Sequence, residues 1–155
     1  MSVYADHPPR LEPFENYADP LWFVTFCTAG RRPLLARESL HCAFRELCDR
    51  MARQGVAVGR YVIMPDHVHM FLRLNPEYRL GRTVGFLKKS LSKSLDEGGD
   101  VRPHWQPGFF DHMLRHDESY AQKWAYVCNN PVRAGLVEAS SEWPYQGEVV
   151  SIDGV

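Results

Sequence analysis

Two histidines separated by one residue, His67 and His69, stand where one apolar run gives way to another: Tyr61-Val-Ile-Met64, then Pro65-Asp66, then Met70-Phe-Leu72. If the second run is a strand, its side chains alternate between faces, so both imidazoles point one way and Val68 the other. Two imidazoles side by side can hold a divalent metal once a third group arrives from elsewhere. A second set lies far along the chain. Tyr126 and Asn130 are four apart in a helical pattern, which places a phenol and a carboxamide near one another. Tyr120, Trp124, Val127 and Pro131 cluster on a different side of that helix and should face the core. Nitrogen and oxygen donors with open positions suit Mg²⁺ or Mn²⁺ bound together with a phosphate. A tyrosine with a free pKa of about 10 is a poor nucleophile at neutral pH, but a nearby cation favours its phenolate. Attack on phosphorus would leave a covalent phosphotyrosine, and no water would need activating.

These two sets need a scaffold that brings them together. The aromatic and β-branched stretch 22–28 alternates and reads as a strand. A helix follows over about 38–53, with Leu40, Phe44, Leu47 and Met51 as its apolar stripe, and Gly55 suits the left-handed cap after it. Strands at 56–64 and 67–74 form a hairpin about Pro65-Asp66, which sets the histidines at its near end. A second helix spans about 80–95 with Val84, Leu87, Leu91 and Leu95 inward. A fourth strand is expected over 109–115. The third helix opens at Asp117-Glu118-Ser119, acidic at its positive end, and runs to about Asn130, where Pro131 interrupts it. Strand, helix, strand, strand, helix, strand, helix is an α+β order. It predicts the ferredoxin-like split β-α-β antiparallel sheet with helices on one face, plus an extra C-terminal helix bearing the tyrosine. The domain is expected over 21–137, between an N-terminal arm at 1–20 and a C-terminal tail at 138–155.

Composition narrows the setting. The chain has 155 residues, a net charge of −1, 45% apolar and 24% charged residues, which fits one globular domain and argues against a surface coated in nucleic-acid-binding charge. Charge is nonetheless uneven. Arg73, Arg79, Arg82, Lys88, Lys89 and Lys93 fall in one stretch with Glu77 the one acid among them. Of these, Arg82, Lys88, Lys89 and Lys93 are the candidates for phosphate contact. No apolar run is long enough for a membrane span, and the first residues lack the pattern of a leader, so a cytoplasmic protein is expected. Cys27, Cys42, Cys48 and Cys128 are widely spaced and are expected as buried, reduced thiols. Trp105, Phe109 and Phe110 read as core or turn aromatics rather than base-stacking platforms.

The stretch Met64-Pro-Asp-His-Val-His-Met-Phe-Leu72 resembles the His-hydrophobe-His motif of single-tyrosine HUH transposases. Tyr126-Val-Cys-Asn-Asn-Pro-Val-Arg-Ala-Gly-Leu-Val137 resembles the tyrosine helix of the REP-associated tyrosine transposases, as do Phe23-Val-Thr-Phe26 and Trp105-Gln-Pro-Gly-Phe-Phe-Asp-His112 their counterparts. The resemblance implies Tyr126 as nucleophile, with His67, His69 and Asn130 as ligands of Mg²⁺ or Mn²⁺. It implies single-stranded DNA with imperfect hairpins as substrate, cut near the hairpin foot to leave a 5′-phosphotyrosine and a free 3′-hydroxyl. Such enzymes work as a monomer or as a homodimer with exchanged tyrosine helices. The acidic balance of this chain departs from the usual basic character.

Two other functions compete with nicking and strand transfer. A domesticated module would bind repeat hairpins without cutting them. A metal-dependent phosphoesterase would use water, and the chain offers no carboxylate cluster for it.

Overall fold

The computed structural model describes residues 19–115 and 119–152. The expected arm at 1–20 lies almost wholly outside the described residues, as do Asp117 and Glu118. In chain order the elements are β1 (Leu21–Cys27), α1 (Glu38–Ala52), β2 (Val56–Met64), β3 (His67–Leu74), α2 (Leu80–Glu97), β4 (Phe110–Leu114), α3 (Tyr120–Val127), α4 (Asn130–Arg133) and β5 (Gln146–Glu148). They form one antiparallel sheet in the order β4-β1-β3-β2-β5. Its first four strands have the predicted ferredoxin-like order.

The pleat sorts the sheet into two faces. Thr25 lies opposite His69 and Cys27 opposite His67, while Phe26 lies opposite Val68 and Val24 opposite Met70. Cross-strand partners share a face. One face therefore carries Val24, Phe26, Tyr61, Ile63, Val68, Met70 and Leu72, all with no exposed surface. α1 and α2 close this side. Leu40 and Phe44 of α1 and Leu87, Leu91 and Leu95 of α2 are equally buried, and the Phe44 ring meets Tyr61 at 4.8 Å. Removing each such side chain from water contributes about 1.5–3 kcal/mol.

Two glycines are required by geometry. Gly55, at φ +88°, ends α1 in the left-handed region, as expected of a helix cap. Gly59 sits where the β2–β3 register shifts between Val58 and Tyr61. A Cβ there would lie 2.6 Å from both the Tyr120 hydroxyl and Ile152, so only glycine lets α3 approach.

Residues after 137 do more than trail. β5 pairs with β2, the Trp143 indole donates to the Ile63 carbonyl at 3.0 Å, and Val149, Val150 and Ile152 are buried. All four cysteines are free. Cys27 and Cys48 are buried as expected, but Cys42 is exposed, because it falls off the apolar stripe of α1. Among the described residues no helix is long and apolar enough to cross a membrane.

Candidate active site

The histidines occupy the other face, beside the hairpin turn. Their Nε2 atoms converge to 3.1 Å. Their Nδ1 atoms are held from behind: that of His67 by Asp66 Oδ1 at 2.8 Å, that of His69 by Thr25 Oγ1 at 2.6 Å. Beside a carboxylate, the His67 Nδ1 carries the proton, which leaves Nε2 as a lone pair. Arg31 also approaches that Nδ1, at 3.3 Å, but its better bond is from Nε to Asp66 Oδ2 at 2.8 Å. Arg31 adopts φ +53°, the left-handed region, which costs a non-glycine residue of the order of 1 kcal/mol or more. Its guanidinium thereby reaches the turn and fixes the carboxylate that fixes the imidazole.

Both imidazoles are kept neutral. Burial lowers the His67 pKa, and the neighbouring Asp66 only partly offsets it. For His69 burial acts first, followed by the charges of His67, Lys123, Arg133 and Arg31, and together they bring it down to about 3. Neutral imidazole is the form that ligates metal.

The convergent pair fits a cation. Two nitrogens each about 2.1 Å from one metal are about 3.0 Å apart at a right angle and about 3.4 Å apart at a tetrahedral one. The observed spacing is close to the octahedral value, the geometry Mg²⁺ and Mn²⁺ take. A carboxylate and a hydroxyl behind the ring nitrogens are the supports ligating histidines use. Among the described residues no three His, Cys, Asp or Glu side chains form a metal-holding group, so a third protein donor would be of another type, such as a carboxamide.

α3 lies across this face, opposite α1 and α2. Ser119 caps it by accepting from the Gln122 N–H at 3.1 Å. Tyr120 anchors it: its hydroxyl accepts from the Arg60 N–H at 2.8 Å, and its ring meets Phe71 at 4.8 Å. Trp124 packs on Phe71 as well, and the Lys123 ammonium sits 4.9 Å from the centre of the Phe23 ring. Tyr120 is thus spent on the core, as its side of the helix predicts. Tyr126 is 64% exposed and lies under Arg133, whose guanidinium carbon is 4.0 Å from the ring centre.

The helix differs from expectation in one respect. It does not run on to Asn130. Helical bonding tightens at Asn129, whose N–H reaches the Tyr126 carbonyl at 3.4 Å, and α4 begins afresh at Asn130. The cause is Pro131. Inside a continuous helix its ring would clash with the Val127 carbonyl and leave that acceptor unpaired, whereas a first turn tolerates proline. Tyr126 and Asn130 thus belong to successive helices. The two are joined through Arg133, which lies on the Tyr126 ring and donates to Asn130 Oδ1 at 2.7 Å. That oxygen keeps a second lone pair, so the carboxamide can still serve as a ligand.

The basic residues of α2 are elsewhere. α2 covers the sheet face away from the histidines, so Arg82, Lys88, Lys89 and Lys93 do not border the imidazole pair. The Lys88 ammonium is half-buried and donates to the carbonyls of Gln106 and Gly108, which makes it a fastener for the loop before β4 rather than a free phosphate contact. The side-chain cations that act on His69 are Arg31, Lys123 and Arg133. Sequence reading passed over these three and the supports Thr25 and Asp66. Asp66 was visible as the residue before His67. Thr25 becomes visible only once the β1–β3 register is known.

A family model described as "Transposase IS200 like" matches residues 22–130, spanning both candidate sets. The chain is 28% identical over 114 residues to a Haemophilus influenzae protein named "Putative REP-associated tyrosine transposase", covering 66% of this chain and 63% of the relative. It thus spans somewhat under two thirds of that protein's length. It is 24% identical over 124 residues to the Escherichia coli K12 "REP-associated tyrosine transposase", covering 80% of this chain and 73% of the relative. A solved REP-associated tyrosine transposase bound to a REP hairpin superposes with a TM-score of 0.62 at 23% identity, over 94% of this chain and 82% of that one, a likeness of fold.

Proposed function

The chain belongs to the IS200-like transposase family, and on that premise we propose that it nicks and rejoins single-stranded DNA at imperfect repeat hairpins through Tyr126. The observation that carries the reading is the position of Arg133. It lies on the Tyr126 ring, bonds Asn130, and its charge is felt at His69. One guanidinium thus links the candidate nucleophile to the candidate third ligand, and its electrostatic influence on His69 supports a site complete in a monomer.

His67 Nε2, His69 Nε2 and Asn130 Oδ1 would hold Mg²⁺ or Mn²⁺. When bound, the ion would draw charge from a phosphate oxygen and so favour attack at phosphorus. Asp66 and Thr25 keep the imidazoles turned with their Nε2 atoms outward. Arg31, Lys123 and Arg133 raise the positive potential where a diester would lie. The Tyr126 hydroxyl loses its proton to solvent and its oxygen bonds to phosphorus. The bond from phosphorus to the 3′-oxygen breaks, and that oxygen leaves as a hydroxyl after taking a proton from solvent. The 5′-phosphotyrosine keeps the bond energy, so another 3′-hydroxyl can displace Tyr126 and complete strand transfer.

The test is a hairpin oligonucleotide incubated with the protein and Mn²⁺. A protein–DNA adduct stable to denaturing electrophoresis is expected, and Tyr126→Phe should abolish it while leaving the melting temperature unchanged. An adduct that persists in Tyr126→Phe would overturn the assignment. Tight hairpin binding without nicking in any divalent metal would support the domesticated binding module instead.

A further inference from the structure

We propose that Phe110 is a base-stacking subsite, a platform for one unpaired nucleobase of the DNA strand whose phosphate lies at the histidine pair. The inference rests on the DNA-processing reading above and adds where the strand runs.

The three aromatics that sequence reading grouped together separate in the structure. Trp105 is tied down: its indole donates to the Lys88 carbonyl at 2.9 Å and its ring meets Phe26 at 5.3 Å. Phe109 is partly buried against the core. Phe110 is 69% exposed, more than any other aromatic side chain among the described residues. A phenyl ring left in water gives the fold almost nothing, so packing does not account for its type.

Its backbone, by contrast, is held firmly. β4 pairs with β1 from Thr25↔Phe110 onward, and the Lys88 ammonium grips the Gln106 and Gly108 carbonyls just before it. A ring on a fixed backbone loses little freedom when something stacks on it.

Its position points to the ligand. Phe110, Thr25 and His69 form one cross-strand row, so the ring shares the histidine face about two strand spacings, roughly 10 Å, from His69. A strand with its phosphate at the imidazoles covers that distance within a nucleotide or two. Arg31, Lys123 and Arg133 supply positive charge on the same face, and the pleat sends Asp111 to the opposite one, where it lies across from Val24. An exposed ring on a face that also carries cations is the combination single-stranded nucleic acid sites use, because every base has a face to stack.

The test uses hairpin oligonucleotides with 2-aminopurine placed in turn at each unpaired position beside the cut, bound to Tyr126→Phe protein with Mn²⁺ so that nothing is cleaved. Binding should quench the fluorescence at one position. Adding Phe110→Ala should restore that signal and weaken binding about 10-fold, in the range that one stacked base contributes. Phe110→Tyr should keep both, and the melting temperature of Phe110→Ala should match its parent, since the ring is not packed. An Ala variant with unchanged quenching and affinity overturns the proposal, as does a Phe110→Leu variant that behaves like the parent. If, with Tyr126 intact, the wild-type protein and a Phe110→Ala single variant form the adduct equally well at limiting DNA, this inference alone falls. If the parent binds no hairpin at all, the functional reading falls with it.

Discussion

Tyr61 and Tyr126 each have an arginine for a neighbour, one on either face of the sheet, and the two pairs are built differently. Tyr61 is fully buried among α1 and β2. Arg45 donates to its hydroxyl oxygen at 2.6 Å, His41 lies at 2.7 Å, and burial pushes the phenol up to about 12 despite the guanidinium. Its oxygen is satisfied and its proton is locked in place. At Tyr126 the guanidinium lies on the ring instead of at the oxygen, and the hydroxyl is free to meet a substrate. The residue types are the same, but on the closed face they hold the fold together, and on the open face they would equip the proposed reaction. What separates the roles is whether two long helices or one short one covers the sheet.

That contrast can be broken by mutation. The largest effect on stability should come from the closed face: Phe44→Ala should cost about 3–5 kcal/mol, read by denaturant unfolding, with whatever protein remains folded still nicking normally. On the open face His67→Ala should leave stability within about 1 kcal/mol of the parent yet lower adduct formation at least about 100-fold, more than loss of a supporting group costs. A His67→Ala protein that unfolds readily would place His67 in the scaffold instead. Thr25→Val, which keeps shape and removes the hydroxyl behind His69, should weaken Mn²⁺ binding by about 10–100-fold in a titration. Unchanged affinity would mean Thr25 does not orient the ring.

A further expected effect is a pH dependence shared by both faces. His69 is brought down to about 3 and His41, by burial and then Arg45, to about 4, both below the unfolded value of about 6.5. The unfolded chain therefore binds more protons in that window, so stability rises with pH across it. It should be full above about pH 6.5 and decline as pH falls towards 4. Thermal melts that are flat from pH 7 to about 4.5 would contradict the neutral, buried histidines.

The strands and the two long helices were legible because their residues carry simple periods: 56–64 and 67–74 alternate about a Pro-Asp turn, and Leu40, Phe44, Leu47 and Met51 repeat at helical spacing. The histidine pair was legible for the same reason, since the pleat alone puts both rings on one face. What could not be read were matters of tertiary placement. The proline was visible, but whether the helix kinks at it or restarts before it depends on how Arg133 and Asn130 satisfy their groups. That the lysines of α2 lie on the side of the sheet away from the histidines could not be read, because local spacing does not say which side of the sheet a helix covers. β5 was hidden because Gln146-Gly-Glu148 has no strand-like composition. It pairs because Trp143 and Val149 anchor the chain on either side of it.

The brevity of β5 has a bearing on how this chain meets others of its kind. An outermost strand offers a row of unpaired amides and carbonyls that can recruit a foreign strand. Here β2, nine residues long and strongly apolar, would be such a template if it were outermost. It is covered instead by three residues that include Gly147 and the ion pair of Glu148 with Arg60, and among the described residues the opposite margin is the five-residue β4, carrying Asp111 and His112. Both margins are thus poor templates for edge-to-edge polymerisation, which protects the protein from aggregation at the cost of a few residues at each side.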